Sequence, residues 1–526
     1  MIAVVLLAAA GAAAATPSLS GLGVSSGSAP YAGDRPLLAT VSPNGDGFRD
    51  EAIVRFRLRE PATVKLEALR TDQVGERSSR RAVWSTTARL PRGPARLVWR
   101  PARATPPRTY VLRLTLTDAR GRRRVYGLAP PGRPPVAPVV RVQGIEAAFT
   151  RPSYAPGEAA AVRVACDADS LRLQVFAYAG GPFPTPQRDV RTSGTAVTGS
   201  VRVDWRAHRD APALLRVVRA GNWRSGLYFL RLQADDGRVG YAPFVVRPRR
   251  LGEHRVAVVL ATYTWQAYNF EDADGDGWGD TWYVSDRQRT ISLARPFLDF
   301  GLPFRFHDWD LTFLTWLAAT GRDVDVVTDE ELDSVTGAQL ARAYDLIVFP
   351  GHEEYATEHM LDAVERYRDL GGNLAFLAAN NFFWRVDRSG DVLRKLRLWR
   401  DVGRPEAGLV GVQYIGSNHG AVQAPFVLAA DAPAWLLAGT GLAPGSTFGR
   451  YGIEIDARAP ASPAGTHVLA SIPDLLGPGR TAEMTYYETP AGARVFAAGA
   501  LNFAASVGTP PISQLLDNLW TQLAAP

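Results

Sequence analysis

The run HRVAVVLAT at residues 254–262 decides how the fold is read. It is apolar at successive positions rather than alternate ones, as a strand buried on both faces must be. DLIVFPG (345–351) and NLAFLAAN (373–380) share that character. Helical patterns lie between and after these runs. Residues 309–320 read as a helix with Asp308 as its cap and Gly321 as its stop. Thr328 to Glu331 reads as a capping box, and residues 358–370 as a helix stopped by Gly371 and Gly372. Strand and helix in alternation predict an α/β domain over 250–525, a doubly wound, mostly parallel sheet with helices on both faces.

Upstream the period changes to two. Leu171, Leu173 and Val175 alternate with Arg172 and Gln174, and Leu230, Leu232 and Ala234 alternate with Arg231 and Gln233. These predict a β-sandwich over 136–248. Val54, Phe56 and Leu58 alternate with Arg55, Arg57 and Arg59, and Leu112, Leu114 and Leu116 do the same, predicting another over 36–135. YVLRLTLTD (110–118) and YFLRLQADD (228–236) echo one another as a weak internal repeat. SPNGDGFRDEAIVRFRL (42–58) resembles the opening of immunoglobulin-like modules of bacterial surface and secreted proteins. Residues 16–35, rich in Ser, Gly, Ala and Pro, read as a linker. Gly23 to Gly27 matches GxSxG, but no strand precedes it and no helix follows, so a nucleophile elbow is excluded on context. Residues 1–15 read as a signal peptide: the apolar run is shorter than the roughly 20 residues of a membrane span and ends in small residues. A secreted, periplasmic or cell-surface location is expected, with no integral membrane segment after its removal.

At 526 residues the chain is long enough for three or four domains, and 46% hydrophobic residues argue against extensive disorder. The net charge of +7 invites a nucleic-acid partner, but all basic residues except Lys65 and Lys395 are Arg and are scattered along strand faces. No nucleic acid is expected. Cys166, the one cysteine, sits in AVRVACDAD (161–169) and reads as a core residue.

Three strand ends carry polar and aromatic groups: TWQAYN (264–269), GHEEY (351–355) and NNFFWR (380–385). Parallel neighbours would gather these loops on one rim, which is where ligands bind in open α/β sheets. In this order the three motifs resemble the C-terminal domain of the large (beta) subunit of N,N-dimethylformamidase, a glutamine-amidotransferase-like domain. GIEID (452–456), AEMTYYETPAGARVFAAGALNF (482–503) and, in the preceding β region, SGLYFLRLQADDGRVGYAPFVVRP (225–248) extend the resemblance. It implies hydrolysis of the C–N bond of a small amide at one iron ion, Fe3+, held by two tyrosines and a glutamate. Motif by motif, these fall on Tyr268, Tyr283 and Glu354, with His352 and Asn380 beside them. A small partner subunit and a homo-oligomer are also implied. Phenolate and carboxylate are hard ligands suited to such an ion. His352 or Glu353 could move the proton and Asn380 steady the oxyanion. The chain departs from the family in a short tyrosine-to-tyrosine spacing and in Ala356, where an aromatic is expected. The competing reading is a non-catalytic surface or binding protein with a degenerate site. A cysteine-dependent amidotransferase reading lacks its nucleophile, because Cys166 lies outside the α/β region.

Asp272, Asp274, Asp276 and Asp280 occupy positions 1, 3, 5 and 9 of an EF-hand-like loop with Gly277 at 6, but Tyr283 stands at 12 in place of the bidentate Glu. Calcium is one expectation for this loop, and a polar Asp/Gly turn the other. Asn44 to Asp50 is a shorter variant.

Overall fold

Val54, Phe56 and Leu58 all point inward, and the arginines between Val54 and Leu58 point out, in the strand Ala52–Leu58 of the computed structural model. The structure describes residues 16–71, 81–130, 133–178, 180, 191, 194–284 and 288–525. The signal-peptide segment 1–15 lies outside them. Two compact units emerge. One runs to Gln143 and includes Asp272–Gly279; the other comprises Gly144–Glu271 and Asp280–Pro526.

In the first unit a three-stranded sheet (Leu19–Ser25, Ala52–Leu58, Gly93–Trp99) and a larger sheet centred on Ala62–Arg70 and Arg108–Thr117 enclose Phe56, Leu66, Trp99 and Leu114. Leu19–Ser25 falls in the stretch expected to be a linker. It pairs antiparallel with Ala52–Leu58, because Leu19, Leu22 and Val24 give it an apolar side to pack.

In the second unit, Ile145–Phe149, Ala159–Cys166 and Ala213–Arg219 form one sheet, and Gly226–Ala234 is central to another. Cys166 is fully buried between them, and burial pushes its thiol up to about 12. This sandwich packs into the same unit as a nine-stranded sheet. Its strands are β1 (Val256–Leu260), β2 (Asp325–Thr328), β3 (Leu346–Phe349), β4 (Asn373–Phe376), β5 (Gln423–Leu428), β6 (Thr447–Gly452), β7 (His467–Ile472), β8 (Ala482–Glu488) and β9 (Arg494–Ala497).

The strand order is β2-β1-β3-β4-β9-β8-β7-β5-β6. This overturns the expected doubly wound, mostly parallel sheet. Pairs from β2 to β9 are parallel, but the four pairs from β9 to β6 are antiparallel, and the chain as a whole is 40% strand against 16% helix. The reason is connection length. Only residues 489–493 join β8 to β9. A parallel crossover needs a dozen residues or more, so such a link permits only antiparallel neighbours.

The helices that do form follow their local signals. Thr328 and Glu331 close the capping box of α1 (Asp329–Leu332), which is a single turn. Thr357 caps α2 (Glu358–Asp369) by accepting the Met360 N–H, and Gly371, with φ 96°, ends it. Among the described residues no helix is long and apolar enough to cross a membrane.

Candidate functional site

Strand order reverses between β1 and β3, and the segments that leave their carboxyl ends carry the candidate residues. After β1 the chain makes a short, wholly buried helix, Thr262–Ala267, and Tyr268 caps its end. After β3 it passes through Gly351 and His352 to Glu354, and Tyr355–Ala356 pairs with Trp384–Arg385. Asn380 follows β4 with φ 58°, a left-handed conformation that asparagine tolerates better than most residues. Its N–H donates to both carboxylate oxygens of Asp456, at 2.9 and 3.0 Å.

These segments bring Tyr268, His352, Glu354 and Asn380 together, all buried. His352 donates through Nδ1 to the Ala379 carbonyl at 3.1 Å, and its Nε2 lies 3.0 Å from the Tyr268 hydroxyl. Tyr268 in turn donates to Glu354 Oε2 in a short hydrogen bond. The Glu354 N–H is held by Thr264 Oγ1 at 3.2 Å. Asn380 Nδ2 reaches Glu454 Oε2 at 2.9 Å and Glu354 Oε1 at 3.5 Å. Glu454 Oε2 and Glu354 Oε2 stand 3.7 and 3.5 Å from His352 Nε2. Asn380 Oδ1 and the indole nitrogen of Trp309, whose ring packs on Tyr268 and His352, are buried with no hydrogen-bond partner.

Carboxylates dominate the electrostatics. Burial works against a charged His352, but the hydrogen bond to Glu354 and the charges of Glu454 and Glu354 override it and raise its pKa to about 9. Burial first, then the Glu354 charge, holds the Tyr268 phenol well above its usual value. Burial also raises Glu454, with His352 opposing and Glu354 reinforcing, and lifts Asp456 to about 8.

Two expected site residues are placed differently. Glu353 faces Asp329 and Asp310 rather than Tyr268; burial and the Asp329 charge keep its carboxyl protonated well above the usual range. Neighbouring residues in extended chain point to opposite sides, so Glu353 and Glu354 cannot both face Tyr268. The Tyr283 ring meets Tyr268 edge-on, centroids 4.8 Å apart, and burial raises its phenol while the charge of nearby Arg305 opposes that.

In the acidic loop, Asp272, Asp274 and Asp276 each offer a carboxylate oxygen within 4.8 Å of the others. Gly275 and Gly277 N–H groups bind the Asp272 carboxylate at 2.7 and 3.0 Å. Asp280 is not in that cluster; its carboxylate accepts from Gln288 at 3.1 Å.

Glu454 and Asp456 were given no role by sequence reasoning, although GIEID belongs to the resemblance. The signal was available: two acids at i and i+2 flank a buried Ile455 in the strand Glu454–Ala457 and so share a face. Thr264 opens the TWQAYN motif but was given no role, and Trp309 carried no such signal.

A buried phenol, an imidazole and two carboxylates thus meet where the strand order reverses. The family described as N,N-dimethylformamidase beta subunit-like, C-terminal, matches residues 186–514, and the chain belongs to it. Among curated relatives, the N,N-dimethylformamidase beta subunit of Alcaligenes sp is 38% identical over 78 residues, 15% of this chain and 10% of that protein. The beta subunit of Paracoccus aminophilus is 39% identical over 77 residues, with the same coverage of 15% and 10%. The chain thus spans about a tenth of the length of these relatives in the matched stretch. Among solved structures, a β-galactosidase from Bacillus circulans sp. alkalophilus aligns with TM-score 0.31 and 16% identity, over 52% of this chain and 31% of that one.

Proposed function

We propose that the chain hydrolyses the C–N bond of a small amide at an iron ion held by Tyr268 and Glu354, with His352 beside them. The observation that carries this reading is the meeting of the Tyr268 hydroxyl, Glu354 Oε2 and His352 Nε2 in a buried centre. The donor set suits a hard cation, since Tyr268 and Glu354 present oxygen. The surplus of carboxylate beside one imidazole and the unpartnered Asn380 Oδ1 support a ligand there. Tyr283 is left out of the donor set in this reading, because the Arg305 cation lies beside its phenol. Iron supplies Lewis acidity toward an amide carbonyl.

The chain's own residues divide the remaining work. Glu454, kept basic by burial, takes a proton from the attacking water. His352, whose Nε2 stands beside Glu354 and Glu454, passes a proton to the nitrogen as the C–N bond breaks, once the water oxygen has bonded to the carbonyl carbon. Asn380, fixed by Asp456, offers its amide N–H to the carbonyl oxygen. Burial of these groups leaves little room beside them, in keeping with a small amide and one water as reactants. The products are a carboxylic acid and an amine.

Export through the N-terminal segment belongs to the same proposal. So do a small partner subunit, supported by the relatives' description as beta subunits, and a homo-oligomer. Calcium in the loop of Asp272, Asp274 and Asp276 is supported by the spacing of their carboxylates. The test is metal analysis and a visible spectrum of purified protein, followed by amine release from formamides and acetamides. Near one iron per chain, a phenolate-to-iron band and amine release are expected. Protein that takes up no supplied iron and releases no amine would move the reading to a non-catalytic binding protein.

A further inference from the structure

We infer that the second unit has a separate binding site for a neutral, ring-shaped apolar molecule, set between its β-sandwich and the helix Thr262–Ala267. A cavity of about 230 Å³ lies there. Ala148, Leu227 and Val245 line it from the sandwich, and Trp265, Leu293 and Phe297 from the sheet side. The space has a sequence cause. In Ile145–Phe149, alternate residues Ile145, Ala147 and Phe149 fill the sandwich core, so Ala148 faces the other way with only a methyl group. A cavity of about 150 Å³ with an apolar lining accepts benzene. The larger volume here suits a fused ring system of roughly ten non-hydrogen atoms.

The charged groups at the cavity decide the ligand's charge. Arg151 is paired with Glu158, and Arg388 with Glu330. Arg295 donates to the backbone carbonyls of Ser292, Glu271, Asp280 and Gln266 at 3.1, 3.3, 3.0 and 2.6 Å. Asp391 accepts from the Ser292 hydroxyl at 3.0 Å. With the three arginines already engaged, an anionic ligand would lose its hydration without gaining a partner. A neutral ring loses nothing of the kind and gains the faces of Trp265 and Phe297.

The cavity also backs onto the proposed reaction centre. Trp265 donates to Asp310 at 3.4 Å, and Thr262 and the Tyr263 N–H bind Asp329 at 3.0 and 2.5 Å. Asp310 and Asp329 are the groups that face Glu353. A ligand in the cavity braces the helix from which Tyr268 projects.

The test is 19F NMR titration of the full chain with 1-fluoronaphthalene, with fluorine-free naphthalene-1-sulfonate as a charged competitor whose affinity is read from displacement of the bound probe. Saturable binding of the neutral probe is expected, at least tenfold tighter than the sulfonate. Ala148→Phe and Leu293→Trp fill the cavity from opposite walls, and each folded variant is expected to lose at least tenfold in affinity. Leu293 is only partly buried outside the sandwich, so Leu293→Trp preserves the readout where Ala148→Phe fails to fold. Absence of saturable binding, equal affinity for the sulfonate, or binding indifferent to a folded filling variant would each overturn the site. The readout is binding rather than turnover, so its failure is separate from failure of the amidase reading.

Discussion

Tyr268→Phe removes one oxygen from the buried centre and leaves the ring in place. That oxygen donates to Glu354 and meets His352 Nε2 at 3.0 Å. Without it, a buried carboxylate and a buried imidazole each lose a partner. A hydrogen bond to a charged group contributes roughly 1.5–3 kcal/mol. Part of that loss is recovered, because His352 and Glu354 stand 3.5 Å apart and can close on one another. The edge contacts of the ring with Tyr283 and Trp309 survive, so no cavity cost is added. The net expectation is a loss of about 2 kcal/mol in metal-free protein. Urea unfolding at pH 7, followed by tryptophan fluorescence, measures it. Tyr283→Phe is the matched control: its phenol is only partly buried and lies beside the Arg305 charge, and its loss is expected to cost under about 1 kcal/mol. With iron supplied, Tyr268→Phe should lose metal and the charge-transfer band, and Tyr283→Phe should keep both. Equal effects of the two substitutions on stability and iron would refute the assignment of the inward-facing oxygen.

Burial raises Asp310 to about 7, so the native protein keeps a proton that the unfolded chain has lost. That stability is full below about pH 4 and is lost as pH rises through 7. Wild type should therefore fall relative to Asp310→Asn over this range, by about 4 kcal/mol at most in pH-dependent denaturation. Gly351→Ala would place a Cβ 2.4 Å from Asp310 Oδ1 at the entry to the His352–Glu354 segment, and should reduce amide hydrolysis at least tenfold while leaving the first unit's melting unchanged. Calcium at millimolar concentration should raise the melting temperature by several degrees, and Asp274→Asn should abolish the shift; an unchanged shift would remove calcium from this loop. Cys166, buried and with its thiol pushed up to about 12, should ignore a disulfide-exchange reagent until denaturant is added.

Much of the fold is written locally and could be read. Val54, Phe56 and Leu58 declare a half-buried strand by alternation, VAVVL a fully buried one by continuity, and Thr328 with Glu331 a helix start by their reach. The antiparallel half of the large sheet was hidden by the same locality. Its strands β7 and β8 pair through a hairpin, and neither AEMTYYE nor HVLASI distinguishes a parallel neighbour from an antiparallel one. Connection length was the usable signal. At the site, the loops after β1, β3 and β4 could be placed on one rim from strand order alone. The partner of Asn380 could not, because Glu454 lies 74 residues away and arrives on a strand outside the large sheet.

That strand gives the correction of the fold a chemical consequence. Glu454–Ala457 pairs with Gln413–Ser417 in a two-stranded sheet, and Ile455 bridges to Ala500 just beyond β9. The antiparallel half of the sheet thus anchors Glu454 and Asp456 against the loop of Asn380. A purely parallel sheet ending its chemistry at β4 would leave Tyr268, His352 and Glu354 with one imidazole for one carboxylate, a neutral pair. Glu454 brings a second carboxyl to the one imidazole, which stays protonated to about pH 9 in the metal-free protein. Burial and Glu354 hold the Tyr268 phenol protonated. A cation is the ligand that reverses this, because it compensates the carboxylates and favours phenolate. Proton release on iron uptake, near one per chain from Tyr268 and absent in Tyr268→Phe, is the expected signature.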